Sequence, residues 1–249
     1  MKLSVALFFA GLFGSLAALF VFLSFGTDYW LVASEMCVTN RTITPDGVAV
    51  EHGDIVLAEP AMGFPPHAMV YHEGFFWRCS FSGYLDDNPH VKIWMTNQPH
   101  SKVCIPAYLF PFPVSQQTHN ATAYDSAIIY RGFWSVFMLI GVAAVILGGF
   151  FIICAAPFAS HRLYKAGGGL FLTSAVFLLG VVLMLVLWVE VMSVVQDYVD
   201  HQRLSVCPDF DLTIYYGLSF FFAPVAISFC LLAGLMFLLI GRSVRMQYH

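Results

Sequence analysis

The run GFWSVFMLIGVAAVILGGFFIICAAPFAS, from Gly132 to Ser160, decides the fold of this chain. It contains no Asp, Glu, Lys or Arg, and it exceeds the roughly 20 helical residues that cross the hydrocarbon core of a bilayer. Because a bilayer offers the backbone no water to bond, such a run must satisfy its own hydrogen bonds as a helix. The run therefore predicts a membrane-spanning helix.

Three further runs lack those four residue types, and the chain as a whole is 59% hydrophobic and only 10% charged, which is unusual for a soluble domain. We predict a mainly α membrane protein in one domain, 1–249, built as a bundle of four transmembrane helices. The helices are expected at about residues 3–27, 132–157, 167–195 and 214–241. The first run could instead be a cleaved signal peptide, but it is longer than the usual apolar segment of about 7–15 residues.

Charged residues predict the orientation of the bundle. The N-terminus, the link between the second and third helices, and the C-terminal tail hold five basic residues and no acidic ones: Lys2, Arg162, Lys165, Arg242 and Arg245. Such segments stay in the cytoplasm. The other two connections, Asp28 to Arg131 and Glu190 to Asp211, hold all 15 acidic residues and have a formal balance of −9. We therefore expect a plasma-membrane protein with cytoplasmic termini, extracellular loops at about 28–131 and 196–213, and no nucleic-acid partner.

The first extracellular loop is too long for a simple connector and must fold. Runs of apolar and aromatic residues at Gly74 to Phe81 and Val91 to Met95 predict strands. Two Asn-x-Thr sequons, at Asn40 and Asn120, predict N-glycosylation of this loop. The same side of the membrane is rich in aromatic residues that typically anchor a protein at the lipid interface: Tyr29, Trp30, Tyr130, Trp134, Trp188, Tyr215 and Tyr216.

The six cysteines divide by topology. Cys154 and Cys230 lie inside predicted helices and are interpreted as packing residues. The other four face the oxidising side, where an even number permits three pairings. Because Cys79 and Cys104 flank a candidate hairpin, we predict that they pair with each other. That leaves Cys37 and Cys207 for a second disulfide that joins the two extracellular loops.

The sequence carries no motif for catalysis, for a metal or for a cofactor. The nine histidines are scattered, and His72-Glu73 is not followed by a second histidine at metalloprotease spacing. Gly167-Gly168-Gly169 lacks the Lys-Ser/Thr of a phosphate-binding loop, and it is interpreted as a flexible turn before the third helix. Glu190, at the outer end of that helix, is expected to reach water. We predict a protein that is not an enzyme.

Four helices, a β-rich first loop, a short second loop and a Gly-aromatic-aromatic-x-x-Cys element resemble the claudin and peripheral-myelin-protein superfamily. The element here is Gly74-Phe75-Phe76-Trp77-Arg78-Cys79, whereas the superfamily has Gly-Leu-Trp-x-x-Cys. Phe76 thus occupies the Trp position. The tail Met246-Gln247-Tyr248-His249 lacks the Tyr-Val ending that claudins use to bind junctional scaffolds, which argues against a barrier-forming claudin.

A closer resemblance, to a muscle membrane protein of this superfamily, covers nearly the whole chain. Its matching segments are FGTDYWL at Phe25–Leu31, HEGFFWRC at His72–Cys79, TNQPHSK at Thr96–Lys102, YDSAIIYRGFW at Tyr124–Trp134 and IICAAPFASHRLYKAGGG at Ile152–Gly169. The resemblance implies a regulator of muscle differentiation and myoblast fusion, inhibitory in effect, that engages the integrin β1 subunit. Lateral homo-oligomers are a further expectation.

The first loop is the part of the chain large enough to present a partner interface, and its aromatic residues Phe75, Phe76, Trp77 and Trp94 are candidate contacts. The competing interpretation is that aromatic residues beside a disulfide form the core of the loop itself. A competing function is a claudin-like paracellular pore or an auxiliary subunit of an ion channel, which the acidic balance of the extracellular loops would suit.

Overall fold

The computed structural model describes residues 3–37, 49–51, 54–56, 68–82, 102–107, 112, 121–158, 160–191, 194–205 and 208–247. Within these ranges, four helices are long and apolar enough to cross a membrane. They are α1 (Leu3–Gly26), α2 (Ala121–Phe158), α3 (His161–Val186) and α5 (Leu218–Gln247). A π-helical segment, Leu187–Val191, and a short helix, α4 (Val194–Ser205), continue the chain after α3. The predicted four-helix bundle is confirmed.

The second and third spanning helices begin earlier than predicted. Hydropathy marks only the part of a helix that lies in hydrocarbon, whereas backbone hydrogen bonding continues into polar sequence. Helix α2 accordingly begins at Ala121 rather than near residue 132, and α3 begins at His161 rather than 167. The region predicted as a short second loop, 196–213, consists largely of α4 and the beginning of a strand. That strand delays the start of the last helix from 214 to Leu218.

Close packing of small residues holds the bundle together. Helix α3 packs against both α2 and α5, while α1 packs mainly against α5. The fully buried positions on α1 include the small residues Ala10 and Ala17, which allow the helix backbones to approach. Around them lies one continuous apolar core that includes Phe171, Leu178 and Phe237.

The glycine triplet is part of this packing and is not a flexible turn, so that prediction is wrong. Residues 167–169 lie inside α3. A Cβ atom on Gly168 would be 2.8 Å from the carbonyl oxygen of Gly234 on α5, and one on Gly167 would be 3.0 Å from the carbonyl oxygen of Gly148 on α2. Both glycines are therefore contact points where α3 approaches its neighbours.

A five-stranded antiparallel sheet stands at one end of the bundle, which we call the sheet side. Its spatial order is β6 (Val103–Pro106), β5 (Trp77–Ser82), β4 (Ala68–Glu73), β1 (Leu31–Cys37) and β7 (Phe210–Tyr216). A separate hairpin consists of β2 (Ala49–Glu51) and β3 (Asp54–Val56). Strand β7 comes from the second loop and pairs with β1, so both loops build one sheet.

The predicted strand from Gly74 to Phe81 is correct only in its second part. Gly74 to Phe76 instead forms the tight connection of the β4–β5 hairpin, where the Gly74 amide donates to the Trp77 carbonyl at 3.0 Å. The predicted strand from Val91 to Met95 lies outside the described residues.

Candidate functional site at the junction of sheet and bundle

A buried ion pair joins the sheet to the bundle. Glu73 ends β4, and its carboxylate is 2.7 Å from the Arg131 guanidinium on α2, with both side chains less than 10% exposed. The same guanidinium donates to the carbonyls of Gly74 and Phe75, and the second carboxylate oxygen of Glu73 accepts the Phe112 amide at 2.8 Å. Each buried charge thus has hydrogen-bonding partners, as a buried pair requires.

Stacked aromatic rings surround this pair. Phe75 lies flat on Trp134 with ring centroids 4.0 Å apart, and both rings meet Trp30 edge to face. Arg131 lies over the face of Trp134, 4.3 Å from its centroid, so its charge also contacts an aromatic surface. The end of the β4–β5 hairpin is therefore packed into the top of the helix bundle.

Polar groups at the ends of α1 and α5 hold the neighbouring strands in place. Ser24 on α1 donates to the carbonyl of Ser219 on α5 at 3.0 Å, and the Trp30 indole donates to the Ser24 carbonyl at 2.7 Å. The hydroxyls of Thr27 and Ser219 are 2.6 Å apart. Strands β1 and β7 therefore leave the bundle from two helices that are bonded directly to each other.

Glu35 connects the sheet to α4. Its two carboxylate oxygens accept hydrogen bonds from Tyr71 on β4 at 3.0 Å and from Tyr198 on α4 at 2.7 Å. Burial, reinforced by the Glu35 charge and hydrogen bond, raises the pKa of Tyr71 to about 12. Both phenols therefore remain protonated donors at neutral pH, and Glu35 holds α4 against the sheet.

Asp28 and His72 form a second partly buried polar group beside the hairpin. A ring nitrogen of His72 is 2.9 Å from the Asp28 carbonyl, and Tyr29 stacks on the imidazole at 4.5 Å. Burial raises the pKa of Asp28, while the backbone amides of Trp77 and Phe76 oppose that shift by hydrogen bonding to the carboxylate. Burial also lowers the pKa of His72, and the nearby charge of Lys102 acts in the same direction.

These shifts predict a pH dependence of stability. Because the pKa of His72 is lowered in the folded protein, protonation favours the unfolded chain, so stability should fall as pH drops below the unfolded value of about 6.5. Because the pKa of Asp28 is raised in the folded protein, its protonation at lower pH favours the folded state and acts in the opposite sense. We expect His72→Gln to flatten the decline in melting temperature between neutral and mildly acidic pH, measured on purified protein in detergent. Equal slopes for the two proteins would contradict this assignment.

The structure contains the expected Cys79–Cys104 disulfide, and it links β5 to β6 at directly paired positions. Cys37 is also disulfide-bonded, but its predicted partner Cys207 lies outside the described residues. Cys154 and Cys230 carry free thiols inside helices. The predicted glycosylation sites Asn40 and Asn120 lie outside the described residues as well.

The four candidate interface residues have different positions. Phe75 is only 5% exposed, because it fills the aromatic core described above, and this removes it from any accessible surface. Phe76 and Trp77 are 44% and 48% exposed at the tip of the hairpin. Trp94 lies outside the described residues. Glu190 is exposed, as expected, and accepts a hydrogen bond from Tyr216 at 2.9 Å.

Three tryptophans predicted to anchor the protein at the lipid interface do not face lipid. Trp30, Trp134 and Trp188 are each at most 7% exposed. Each indole nitrogen donates to a backbone carbonyl: Trp30 to Ser24 on α1, Trp134 to Val181 on α3, and Trp188 to Phe112 in the first loop. Aromatic residues at a helix end satisfy the same sequence pattern whether they face lipid or other parts of the protein. Here Phe75 of the hairpin packs on Trp30 and Trp134, and Tyr130 stacks on Trp188.

The junction leaves little room for a ligand. A cavity lined by Glu73, Phe112, Arg131, Trp134 and Trp188 has a volume of about 30 Å³. This suits about one or two water molecules rather than a substrate. Within the described part of the chain, no three His, Cys, Asp or Glu side chains come together as metal ligands. The geometry therefore supports a structural role for this site, which connects the sheet to the helices.

Glu73 and Arg131 are the junction residues that the sequence did not reveal. The two are 58 positions apart, and no spacing rule relates them. A weak signal was present, since Arg131 is a charged residue directly before an uncharged run that begins at Gly132. A charge at that position normally indicates the end of a span, whereas here α2 begins ten residues before it.

Together, the four spans, the disulfide-bonded sheet of both loops and the buried junction define a four-span membrane protein with a sheet fixed to one end of its helix bundle. Residues 15–239 match the model of the PMP-22/EMP/MP20/Claudin tight junction family, and the chain belongs to this family of non-enzymatic membrane proteins.

The chain is also similar over its whole length to transmembrane protein 182 from several vertebrates. It is 56% identical to that of Danio rerio over 251 residues, with 100% of both chains covered. It is 47% identical to that of Gallus gallus, with 98% of both chains covered, and 43% identical to that of Homo sapiens, with 100% covered. The resemblance seen in the sequence is confirmed.

Proposed function

We propose that this chain is a plasma-membrane regulator of muscle cell differentiation and myoblast fusion, inhibitory in effect, whose first loop contacts integrin β1. The observation that carries the first-loop role is the junction: Glu73 and Arg131 fix a sheet built from both loops to the bundle. Such a sheet presents a stable surface, which a specific interface of about 800 Å² per partner requires. The muscle role, the inhibitory sign and the integrin partner are drawn from the family resemblance.

The test uses myoblasts that express the intact chain or a variant lacking residues 46–67. This deletion includes the β2–β3 hairpin and stops before β4, because Ala68 pairs with Met36 on β1. We expect integrin β1 to co-purify with the intact chain, fusion to slow, and both effects to weaken in the variant. Removal of the C-terminal residues 247–249 is the control and should change neither.

Normal fusion and no recovered integrin β1, despite surface expression of the intact chain, would defeat the proposal. The acidic balance of −9 in the proposed extracellular segments favours the second candidate, a cation pore or channel subunit. Expression in an epithelial monolayer distinguishes the two functions, because only the second changes cation conductance.

The proposed orientation places both termini in the cytoplasm and the sheet outside the cell. Its support is the five basic residues of the N-terminus, the link between the second and third spans and the C-terminal tail, together with the two sequons in the first loop. Glycosidase should convert a heavier species to a lighter one, and Asn40→Gln with Asn120→Gln should abolish that shift. Staining of a C-terminal epitope in unpermeabilised cells would reverse the orientation.

A further inference from the structure

The tip of the β4–β5 hairpin, Gly74–Trp77, exposes two large aromatic side chains beside a membrane span. Phe76 and Trp77 are nearly half exposed, although Phe75 beside them is buried. Phe76 meets Phe25 of α1 edge to face with ring centroids 5.1 Å apart. One turn earlier on α1, Phe22 is 47% exposed on the surface of the span. The apolar surface of α1 therefore continues onto the hairpin tip.

The backbone of the tip is hydrogen-bonded within the protein to a degree that a loop in water does not need. The carbonyls of Gly74 and Phe75 accept hydrogen bonds from the Arg131 guanidinium. The Phe76 carbonyl accepts from the Ala107 amide, and the Trp77 carbonyl accepts from the Gly74 amide. The backbone amides of Phe76 and Trp77 also lower the pKa of the Asp28 carboxyl group, against the effect of its burial. A loop exposed to water can leave such groups to solvent, whereas a segment that enters a lipid environment must satisfy them internally.

The position of Asp28 sets the depth of the tip. Asp28 is two residues beyond Gly26, where α1 ends, and two extended residues span at most about 7 Å. The headgroup layer outside the hydrocarbon core is roughly 5–8 Å thick on each side of a bilayer. Gly74 holds the tip at this level, because a Cβ atom there would collide with the backbone of Asp28. With the end of α1 placed at the boundary of the hydrocarbon core, these distances put the tip at the height of the headgroups.

We propose that Phe76 and Trp77 insert into the lipid leaflet on the sheet side and anchor the hairpin there. They serve as the interfacial anchors that the sequence predicted at Trp30, Trp134 and Trp188, which are buried instead. Tryptophan and other aromatic rings favour this boundary because one end is apolar and the other tolerates water. The occupant of this surface is phospholipid rather than a protein partner. The anchor is independent of integrin binding and goes beyond the proposed function.

Photo-crosslinking of the full chain in phosphatidylcholine vesicles tests this assignment. Benzoylphenylalanine replaces Trp77 in one variant, Leu139 on the exposed surface of α2 in a second, and Val103 on β6 in a third. Both reference side chains are more than half exposed. We expect lipid adducts by mass spectrometry at Trp77 and Leu139 but not at Val103. Adducts to a second copy of the chain, or none with lipid at Trp77 while Leu139 reacts, would overturn the proposal.

A second measurement needs no crosslinker and uses a smaller change at the tip, one aromatic ring for another. The emission of the intact protein minus that of Trp77→Phe reports on Trp77 alone. In vesicles of brominated phosphatidylcholine the bromine atoms should quench most of this Trp77 fluorescence. Iodide dissolved in the water should quench little of it. Strong quenching by iodide with none by brominated lipid would place Trp77 in water and defeat the anchor.

Discussion

Arg131→Met is expected to destabilise the protein by about 3–5 kcal/mol, the cost of leaving one member of a buried ion pair without its partner. Methionine fills much of the same space, so the loss would come chiefly from the Glu73 charge and from the carbonyls of Gly74 and Phe75. A change of this size is a large part of the total stability of a typical domain. Thermal unfolding in detergent and delivery to the cell surface should both fall sharply.

A double-mutant cycle separates this charge effect from lost packing. Glu73→Gln retains an oxygen that can accept the Phe112 amide but removes the charge. Combined with Arg131→Met, it should be less harmful than Arg131→Met alone, because no uncompensated charge remains. Arg162→Met, at an exposed position near the start of α3, is the matched control and should unfold like the native chain. Native-like unfolding of Arg131→Met would show that the pair is not essential to the junction.

The helices could be predicted because their cause is local. Each uncharged run must form a helix in lipid whatever surrounds it, so hydropathy alone located all four spans. The predicted ends of the helices were wrong because hydropathy reports only on apolar sequence. It does not indicate that α2 continues in polar sequence to Ala121, or that β7 pairs with β1 before α5 begins. Strand β7 depends on a partner strand at the other end of the chain, and local sequence does not identify it.

The junction shows a different limit. Three consecutive aromatic residues, Phe75, Phe76 and Trp77, look equivalent in sequence, yet the first is in the core and the other two are exposed. Their positions depend on the tight connection after Glu73 and on Arg131, which binds the carbonyls of that connection from α2. The sequence therefore singled out this segment but could not separate its buried residue from its exposed ones.

The glycine triplet illustrates how tertiary packing overrides a local signal. Three adjacent glycines typically indicate a turn, because glycine costs a helix about 1 kcal/mol relative to alanine. Inside a membrane bundle, the same residues allow two helix backbones to meet. The three positions point in different directions around α3, so their roles differ: Gly167 faces α2, Gly168 faces α5, and a Cβ atom on Gly169 would meet no atom within 4 Å.

Gly168→Ala is therefore expected to destabilise the bundle by about 1–3 kcal/mol, through overpacking against backbone that cannot rotate away. The added methyl group would be 2.8 Å from the Gly234 carbonyl oxygen and 3.0 Å from the Leu238 amide nitrogen, both on α5. Helices α3 and α5 would have to separate, which would also loosen Phe171 and Phe237 in the core. The measurement is thermal unfolding of purified protein, with a larger loss expected for Gly168→Leu.

Gly169→Ala is the matched control, because it adds the same methyl group to the next residue of the same helix. With no neighbour to displace, it gains helix propensity and should be neutral or stabilising by up to about 1 kcal/mol. The opposite signs of the two substitutions distinguish a helix-packing site from a turn, since a flexible turn would tolerate both or suffer from both. Equal effects of Gly168→Ala and Gly169→Ala on the unfolding temperature would contradict the helix-packing assignment and favour the interpretation of the triplet as a turn.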